Sequence, residues 1–364
     1  KPVRSDFVQR YSTLGVLILM FLGFSLFVDR FLTPFNLSNI LQQIAILTIV
    51  GSGLTFGFAA KEIDLSVGYT VGLAGILVPL LLTMGYPLAL ALLAGLLAGI
   101  IVGLINGVLI TKVGIPSLIA TLAMGSILFG VNFLMTGGRA IYGGLPDTYL
   151  ALGQGRLFGI PNLAFFMVCA VAIAWFVMER TVFGRYVYAV GGNQKAAELS
   201  GVRITFYRMA ALVLVSIFAV IAGALLASRL GSGQPNVGER YLLDGLATVF
   251  IGMTMFRPGT ATVLGTFCGA LFIGVINNGL SIMGVALTMY DRRNRLTDQV
   301  ADDVRACLGD LVFSTVIPRN VRLSEAPSHG VPALIYDFRC SGSEAYMRLA
   351  RELIARLPRQ EVAA

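Results

Sequence analysis

The sequence predicts an all-α polytopic membrane helix bundle of about eight spans plus a re-entrant helix, followed by a small C-terminal α/β fragment. Two observations lead to this fold class: long apolar runs fill residues 1–285, and charged residues are dense in residues 286–364. The first segment holds 16 Lys/Arg and 9 Asp/Glu, whereas the much shorter second segment holds 11 and 10. A soluble domain is about 25% charged, and the whole chain is 13% charged. We therefore expect two domains that meet at residues 285 and 286.

Eight apolar runs are long enough to cross a bilayer, because a spanning helix needs about 20 predominantly apolar residues. A shorter run at residues 241–256 is interrupted by Asp244 and followed by Arg257-Pro258-Gly259. Such a break is tolerated in a membrane only where protein or a cavity covers the backbone, so this run predicts the re-entrant helix. The eight predicted spans are residues 11–28, 40–60, 65–84, 88–110, 115–135, 163–178, 209–230 and 261–285.

Basic residues set the expected orientation, since loops rich in Lys and Arg stay in the cytoplasm. The N-terminus carries Lys1, Arg4 and Arg10, and residues 179–208 carry five Lys/Arg against two Glu. Six predicted spans separate these segments, so both can be cytoplasmic. With eight spans the tail is cytoplasmic too, whereas counting residues 241–256 as a ninth crossing would place it outside. The net charge of +8 is explained by orientation, and we expect no nucleic-acid partner.

The residue patterns of common enzyme sites are absent from the sequence. It has no GxxxxGK[ST], HExxH or GxSxG pattern, and His329 is its one histidine. The cysteines Cys169, Cys268, Cys307 and Cys340 lie far apart without CxxC spacing, so we expect them to be reduced and structural. The chain is thus predicted to have no catalytic residues and to bind no metal.

Polar residues interrupt the apolar runs at two places in the first half of the chain. Residues 62–68 (EIDLSVG) lie between two spans. There Asp64 and Ser66 cap the next helix or, with Glu62, take part in gating, because charge near a bilayer is costly and tends to be functional. Asn106 lies in GLING, shortly before KVGIPSLIATL, in which the proline begins a new helix. A buried Asn hydrogen-bonds to another helix or contacts the solute.

Two further polar patterns follow in the second half. Residues 183–201 run from FGRY through GGN to AAELSG and predict a cytoplasmic loop with a short Ala-rich helix inside it. The pattern GVINNGL places Asn277 and Asn278 in the last predicted span, with the same two alternatives as for the earlier Asn. In addition, glycine recurs at every fourth residue from Gly95 to Gly107. This spacing lets another helix approach closely or lines a permeation path.

Taken in order, these four patterns resemble the permease subunits of bacterial ABC importers for ribose, xylose, arabinose, galactose and related small solutes. The resemblance covers about residues 10–285 and implies a translocation path for a monosaccharide in the plasma (inner) membrane. It implies three protein partners: a second permease copy, an extracytoplasmic solute-binding protein and an ABC ATPase subunit. The chain itself then binds no cofactor, and the partner ATPase uses ATP. The family continues after NNGL with a further apolar helix, which this sequence lacks.

In this family the segment that matches residues 184–201 docks into the ATPase. The resemblance therefore implies a short coupling helix that transmits force, and a merely solvated basic loop is the alternative. The implied coupling residues are Gly184, Arg185, Tyr186, Asn193, Ala197, Glu198, Leu199, Ser200 and Gly201. The residues that we assign to the translocation path or its gating, on polarity alone, are Glu62, Asp64, Ser66, Asn106, Asn277 and Asn278.

The tail, residues 286–364, combines period-two and helical spacing and so predicts an α/β fragment. It resembles, over about residues 287–356, the C-terminal part of ParA-type chromosome-partitioning ATPases. It lacks that family's phosphate loop and catalytic aspartate, so we expect poor ATP binding and no hydrolysis. The predicted strands are residues 312–317 and 333–336, and the predicted helices are residues 296–308 and 343–357.

Three other interpretations of the whole chain follow from these two resemblances. The first is a ParA-like fragment fused to a membrane anchor, the second is a non-functional chimera, and the third is a passive channel or scaffold. We favour a permease domain joined accidentally to a foreign tail, because the first domain lacks its last helix and the second lacks its phosphate loop.

Overall fold

The computed structural model describes residues 3–28, 31–291 and 293–356. The chain divides into two compact units. The first consists of Lys1–Ile18 with Leu37–Gly274, and the second consists of Leu19–Asn36 with Val275–Ala364. The predicted boundary at residues 285 and 286 falls within the second unit and stays a prediction.

Twelve helices account for most of the described residues that precede the tail. Three of them, the first, second and last, contribute residues to both units. A π-helical turn extends the fourth helix through Leu109–Val113 and the seventh through Phe176–Arg180. The helices are α1 (Val3–Phe27), α2 (Pro34–Ala59), α3 (Val67–Thr83), α4 (Leu88–Val108), α5 (Ser117–Thr136), α6 (Asp147–Gln154), α7 (Asn162–Trp175), α8 (Val182–Gly192), α9 (Gln194–Leu199), α10 (Ile204–Leu230), α11 (Glu239–Gly252) and α12 (Val263–Met283).

The predicted membrane spans are confirmed as helices. Six described helices, counted with their π-turns, are long and apolar enough to cross a membrane: α2, α4, α5, α7, α10 and α12. The apolar stretches Ser12–Phe27 in α1 and Val67–Thr83 in α3 are somewhat shorter. These eight helices correspond one to one to the eight predicted spans, as expected for segments that can bury their backbone hydrogen bonds only by forming helices.

Small residues bring α4 and α10 into close contact in the first unit. A Cβ atom added at Gly103 would lie 2.6 Å from the Cα atom of Val213 and 3.1 Å from the Oγ atom of Ser216. One added at Gly99 would lie 2.6 Å from a methyl group of Val220. The four-residue glycine spacing therefore serves helix packing, since only small residues permit such an approach.

The short helix α6 was not predicted, and tertiary contacts hold it against α10. Tyr149 is fully buried, and its hydroxyl donates to the carbonyl of Ala224 at 2.7 Å. Ser228 donates to the carbonyl of Tyr149 at 2.6 Å and accepts from the amide of Gly153 at 2.7 Å. Two small antiparallel strand pairs lie nearby in sequence: β1 (Ile141–Tyr142) with β4 (Ser232–Gly233), and β2 (Arg156–Leu157) with β3 (Ile160–Pro161).

The predicted re-entrant run at residues 241–256 overlaps the helix α11. It has 14 residues, which corresponds to roughly 21 Å at 1.5 Å per residue. Because the hydrocarbon core of a bilayer is about 30 Å thick, this helix is too short to cross it. The turn after it, which contains the pattern RPG, separates it from α12.

The described part of the tail forms a two-stranded parallel sheet with helices, all within the second unit. Strand β5 (Val285–Tyr290) follows α12 and pairs with β6 (Val312–Pro318), with Val285 opposite Val312. Helix α13 (Arg295–Leu308) connects the two strands, as a parallel pair requires a crossover. The remaining helices are α14 (Val321–Glu325), α15 (Ala333–Tyr336) and α16 (Ser341–Arg356).

Three of the four elements predicted in the tail are confirmed and one is wrong. The strand at residues 312–317 and the helices at 296–308 and 343–357 correspond to β6, α13 and α16, although residue 357 lies outside the described residues. Ala333–Tyr336 is a helical turn and not a strand. Pro332 precedes it at φ −60°, and a proline with this φ is well suited to begin a helical turn. Four residues are also too few to distinguish the two periodicities.

Candidate functional site

The loop between α2 and α3, residues 60–66, contains three predicted path residues, and all three are buried. Glu62, Asp64 and Ser66 are 3%, 1% and 0% exposed. The Oγ atom of Ser66 donates to Oδ1 of Asp64 at 2.6 Å, and the Ser66 amide donates to the same oxygen at 2.8 Å. Asn106 of α4 donates from Nδ2 to Ser66 Oγ at 3.0 Å. The structure therefore joins Asp64, Ser66 and Asn106 in one buried hydrogen-bond network.

Helix α5 contributes a residue to this network that the sequence analysis missed. Thr121 is fully buried, and its Oγ1 atom accepts from the amide of Leu65 at 3.0 Å and lies 3.3 Å from the carbonyl of Ile63. Its other contact is with the Ser117 carbonyl, one turn earlier in α5, at 2.7 Å. A single Thr within the apolar run after Pro116 is a weak signal, because such a residue usually satisfies its hydroxyl within its own helix.

The capping role predicted for Asp64 and Ser66 is wrong. Ser66 occupies the N-cap position of α3, but its side chain accepts no hydrogen bond from the first turn of that helix. The hydroxyl instead donates to Asp64, whose Oδ1 atom accepts from the amide of Ser66 and not from an amide within α3. Side chains in this loop therefore fix the loop itself.

Two oxygen atoms of the network have no hydrogen-bond partner among the described residues: Oδ2 of Asp64 and Oδ1 of Asn106. Asn106 is fully buried, like Asp64. Asp64 lies outside both neighbouring helices, and burial raises its pKa above the ordinary value, while the hydrogen bonds from Ser66 oppose that rise. The carboxyl group is thus in an environment that disfavours its charge.

Glu62 forms an ion pair with Arg208, near the start of α10. The Glu62 carboxylate is almost completely buried, whereas the Arg208 side chain is 23% exposed. The sequence analysis counted Arg208 only as part of a basic loop, and no sequence signal links it to a residue that far away in the chain. The pair connects the α2–α3 loop to α10.

The predicted coupling residues lie on α8, at the junction between α8 and α9, on α9 and in the turn that follows. The Oδ1 atom of Asn193 accepts from the amide of Ala196 at 3.1 Å and so caps α9. Ala197 is 6% exposed and faces inward, whereas Leu199 is 82% exposed. Gly201 has φ +79°, a left-handed conformation that favours glycine, and it ends the helix. The short Ala-rich helix predicted here is confirmed.

Close backbone approaches fix α8 to its neighbours. A Cβ atom at Gly184 would overlap the carbonyl of Met178, and one at Gly191 would overlap the carbonyl of Ala59 at the end of α2. The glycine pattern therefore has a steric reason at these two positions. Arg185 and Tyr186, the other coupling residues on α8, are exposed.

A polar cavity of about 560 Å³ lies between the α2–α3 loop and the α8–α9 segment. Lys61, Glu62 and Arg208 line it on one side, and Gly191 and Lys195 line it on the other. A second cavity, of about 840 Å³, adjoins Lys61 as well. Beside the second cavity Arg257 is paired with Glu179 at 3.2 Å, and the Tyr188 hydroxyl lies 3.1 Å from Glu179.

The two predicted asparagines of α12 belong to the second unit and are not part of this network. Asn278 is buried and exchanges two side-chain hydrogen bonds with Asn36 of α2, each 2.9 Å long. Its amide is therefore used to join two helices. Asn277 is partly buried, and its carbonyl accepts from Ser281 one turn later. Across residues 3–28, 31–291 and 293–356, no group of three or more His, Cys, Asp or Glu is placed to hold a metal ion.

A bundle of apolar helices that encloses a charged and hydrogen-bonded loop is typical of membrane transport proteins, because buried ionisable groups in such bundles tend to be functional. The comparisons with known proteins identify the class more narrowly. The family model described as branched-chain amino acid transport system / permease component matches residues 36–300. The chain belongs to this permease family. It is therefore a transporter component and not an enzyme, and ATP is hydrolysed by the ATPase with which such permeases work.

Three relatives illustrate the similarity. The chain is 42% identical over 274 residues, 75% of its length and 85% of the relative, to the ribose import permease protein RbsC of Bacillus subtilis (strain 168). It is 34% identical to the fructose import permease protein FrcC of Rhizobium meliloti, covering 74% of this chain and 77% of the relative. It is 31% identical to the L-arabinose transport system permease protein AraH of Escherichia coli (strain K12), covering 76% and 84%.

Proposed function

We propose that this chain forms the translocation path of an ABC importer for ribose or a similar monosaccharide. The observation that carries this proposal is the 42% identity to a ribose import permease over most of both chains. Relatives named for fructose and L-arabinose support the wider sugar class. Alternating access between the helices moves the sugar, and ATP hydrolysis on the partner ATPase drives the change.

The helix α9 is the proposed contact with the ATPase. It is a short capped helix with an inward Ala197 and an outward Leu199, which gives it an apolar tip suited to a groove on another protein. Glu198 and Ser200 beside the tip are exposed and supply polar rim contacts. We assign the nine coupling residues from Gly184 to Gly201 to this docking segment, in which the exposed residues make the contact and the buried Gly184 and Ala197 hold the segment in place.

Force applied at α9 passes to the bundle through short contacts. Helix α8 precedes α9 with a single residue between them, and it touches the end of α2 at Gly191. The α2–α3 loop comes next, and its Glu62 holds Arg208 of α10. Glu62, Asp64, Ser66 and Asn106 therefore act in gating, whereas a direct contact with the sugar is the role proposed for Asn277.

The proposed assembly contains two copies of this chain, one ABC ATPase and an extracytoplasmic solute-binding protein. Both termini and the α8–α9 segment face the cytoplasm of a bacterium, as eight spans and the basic segments favour. The eight helices described above support this count.

The proposed domain division is a permease domain at residues 1–285 and a ParA-like tail at residues 286–364. The parallel pair β5–β6 with its crossover helix supports an α/β tail. A phosphate loop is missing from the sequence, so a membrane-anchored partitioning ATPase is the weaker alternative to the importer, together with a non-functional chimera. Binding of a fluorescent ATP analogue to the purified full chain without its ATPase would favour that alternative.

The import proposal is tested by reconstituting the chain with its ATPase and binding protein in liposomes. We expect ATP-dependent uptake of radiolabelled ribose or another monosaccharide, and no uptake with any pentose or hexose would contradict the proposal. For the coupling helix, we expect Leu199→Glu to weaken ATPase binding at least about a hundredfold, because an unpaired charge in an interface costs several kcal/mol.

The matched control for the coupling helix is Leu157→Glu. Leu157 is 50% exposed and lies on β2, far from α9 in sequence. Binding of the ATPase to detergent-solubilised protein is measured by surface plasmon resonance. Equal loss in both variants, or no loss with Leu199→Glu, would refute the role of α9.

A further inference from the structure

The most unusual feature of the hydrogen-bond network around the α2–α3 loop is a pair of buried acceptor oxygens that lack donors, one on Asp64 of the loop and one on Asn106 of α4. Oδ1 of Asp64 accepts two hydrogen bonds from Ser66, but Oδ2 accepts none. Asn106 donates to Ser66 Oγ, but its own Oδ1 accepts none. Both orphan oxygens thus belong to groups that meet at the same hydroxyl. Buried polar atoms are normally satisfied, so this pair requires a donor or a cation.

No cationic side chain of the protein is paired with the Asp64 carboxyl group. Asp64 takes part in none of the ion pairs formed by residues 31–291 of the structure. Arg208 is already paired with Glu62. The nearby lysines, Lys61 and Lys112, are exposed, and α5 contains no charged residue. A buried carboxylate without a counter-ion is strongly disfavoured and takes up a proton instead. Besides Asp64, the ionisable groups on the loop and on α3, α4 with its π-turn, α5 and α10 are Lys61, Glu62, Tyr69, Lys112, Tyr207, Arg208 and Arg229.

We propose that Asp64 is held as a neutral carboxylic acid, whose Oδ2–H group donates to the side-chain carbonyl of Asn106. One proton then satisfies both orphan oxygens, because a protonated carboxyl group offers one donor and keeps its acceptor oxygen. Asp64 is thereby a positioning residue: it ties the α2–α3 loop to α4 and holds Glu62 where it meets Arg208. This role rests on the proposed import function, whereas the protonation of Asp64 does not.

The test uses an isosteric series at position 64 in the full chain. Asn supplies the same geometry without a charge: its oxygen replaces Oδ1, and its NH₂ group replaces the Oδ2–H donor. We expect Asp64→Asn to keep uptake within about threefold of the wild type for this reason. Asp64→Ala should lower uptake at least about tenfold, because it leaves the Asn106 carbonyl and Ser66 without their partner.

Infrared spectroscopy reports the proton directly and does not depend on transport. The difference spectrum between wild type and Asp64→Asn at neutral pH should contain the carbonyl band of a protonated carboxylic acid. The control is Asp147→Asn, which removes an exposed aspartate at the start of α6 and should show only a carboxylate band.

Three results would overturn the proposal: a carboxylate band at Asp64, a folded Asp64→Asn protein without uptake, and uptake that requires Na⁺ or K⁺ in the wild type but not in Asp64→Asn. The last result would assign the orphan oxygens to a bound cation. If the wild type imports no sugar at all, the infrared experiment still decides the protonation of Asp64, so the two failures are distinguishable.

Discussion

The ion pair between Glu62 and Arg208 is unequally buried, and this predicts that its two members differ in their response to mutation. Glu62 is 3% exposed, whereas the Arg208 side chain keeps 23% of its surface exposed. Arg208→Gln leaves a buried carboxylate without its counter-ion. Glu62→Gln leaves a guanidinium that can turn toward water on its long stem. We therefore expect Arg208→Gln to be the more damaging change.

The magnitude follows from the burial of each partner. Removing one member of a buried pair costs about 3–5 kcal/mol. Solvent at the exposed part of Arg208 screens part of the interaction, so we expect about 2–4 kcal/mol for Arg208→Gln. For Glu62→Gln we expect about 1–2 kcal/mol, since a buried amide still accepts a hydrogen bond. The double variant leaves no charge, and it should be less destabilised than the sum by about 1 kcal/mol or more.

The assay heats purified protein in detergent and measures the fraction that remains monodisperse by size-exclusion chromatography. The control is the exposed pair of Arg240 and Asp244, whose side chains are 69% and 30% exposed. Arg240→Gln should change stability by only about 0.3–0.5 kcal/mol. The reasoning is refuted if Glu62→Gln is as destabilising as Arg208→Gln, or if the effects of the two single variants simply add.

Two further predictions concern packing and pH. Gly103→Leu should lower thermal stability by about 1–3 kcal/mol, because its Cβ would lie 2.6 Å from the Val213 Cα atom, whereas Gly130→Leu, with no atom within 4 Å, should be neutral in the same assay. In the tail, partial burial would raise the pKa of Glu352, but hydrogen bonds from Thr315 and from the Ser314 amide lower it from 4.5 to about 2. This carboxylate therefore stabilises the tail above pH 4.5 and loses that effect as the pH falls to 2. Limited proteolysis of the full chain should show the acid sensitivity, and Glu352→Gln should remove it; an unchanged acid profile would contradict this.

The long helices could be predicted from the sequence because, in lipid, the polar backbone of an apolar segment has few alternatives to the helix. A run such as residues 88–110 is apolar enough to form the helix α4 although it contains four glycines, which are unfavourable in a helix interior. The helix α6 could not be predicted in this way. Its eight residues include polar ones, and it depends on the Tyr149 hydroxyl reaching the carbonyl of Ala224, 75 residues later.

The sequence predicted several residues of the candidate site but not the hydrogen bonds and ion pairs between them. Asp64, Ser66 and Asn106 were selected because polar groups are rare in apolar runs, and the structure brings these three together. Their partners Thr121 and Arg208 were missed, because a hydroxyl in a helix and an arginine in a basic loop both have ordinary local explanations. Asn278 was grouped with them on polarity alone, whereas its hydrogen bonds go to Asn36. Polarity thus selects candidates, and only the fold assigns their partners.

Three different helices hold the α2–α3 loop through three different groups. Together these links restrict the movement of the loop more than a single bond would. Glu62 binds α10, Ser66 binds Asn106 of α4, and the amide of Leu65 binds Thr121 of α5. A loop of seven residues, 60–66, has little regular hydrogen bonding of its own, so these side chains decide its position. Because each link joins a different helix, the loop cannot shift relative to one helix without straining its links to the others. Under the coupling role that we propose for α9, a push that arrives through α8 and the end of α2 would therefore be shared among α4, α5 and α10 together.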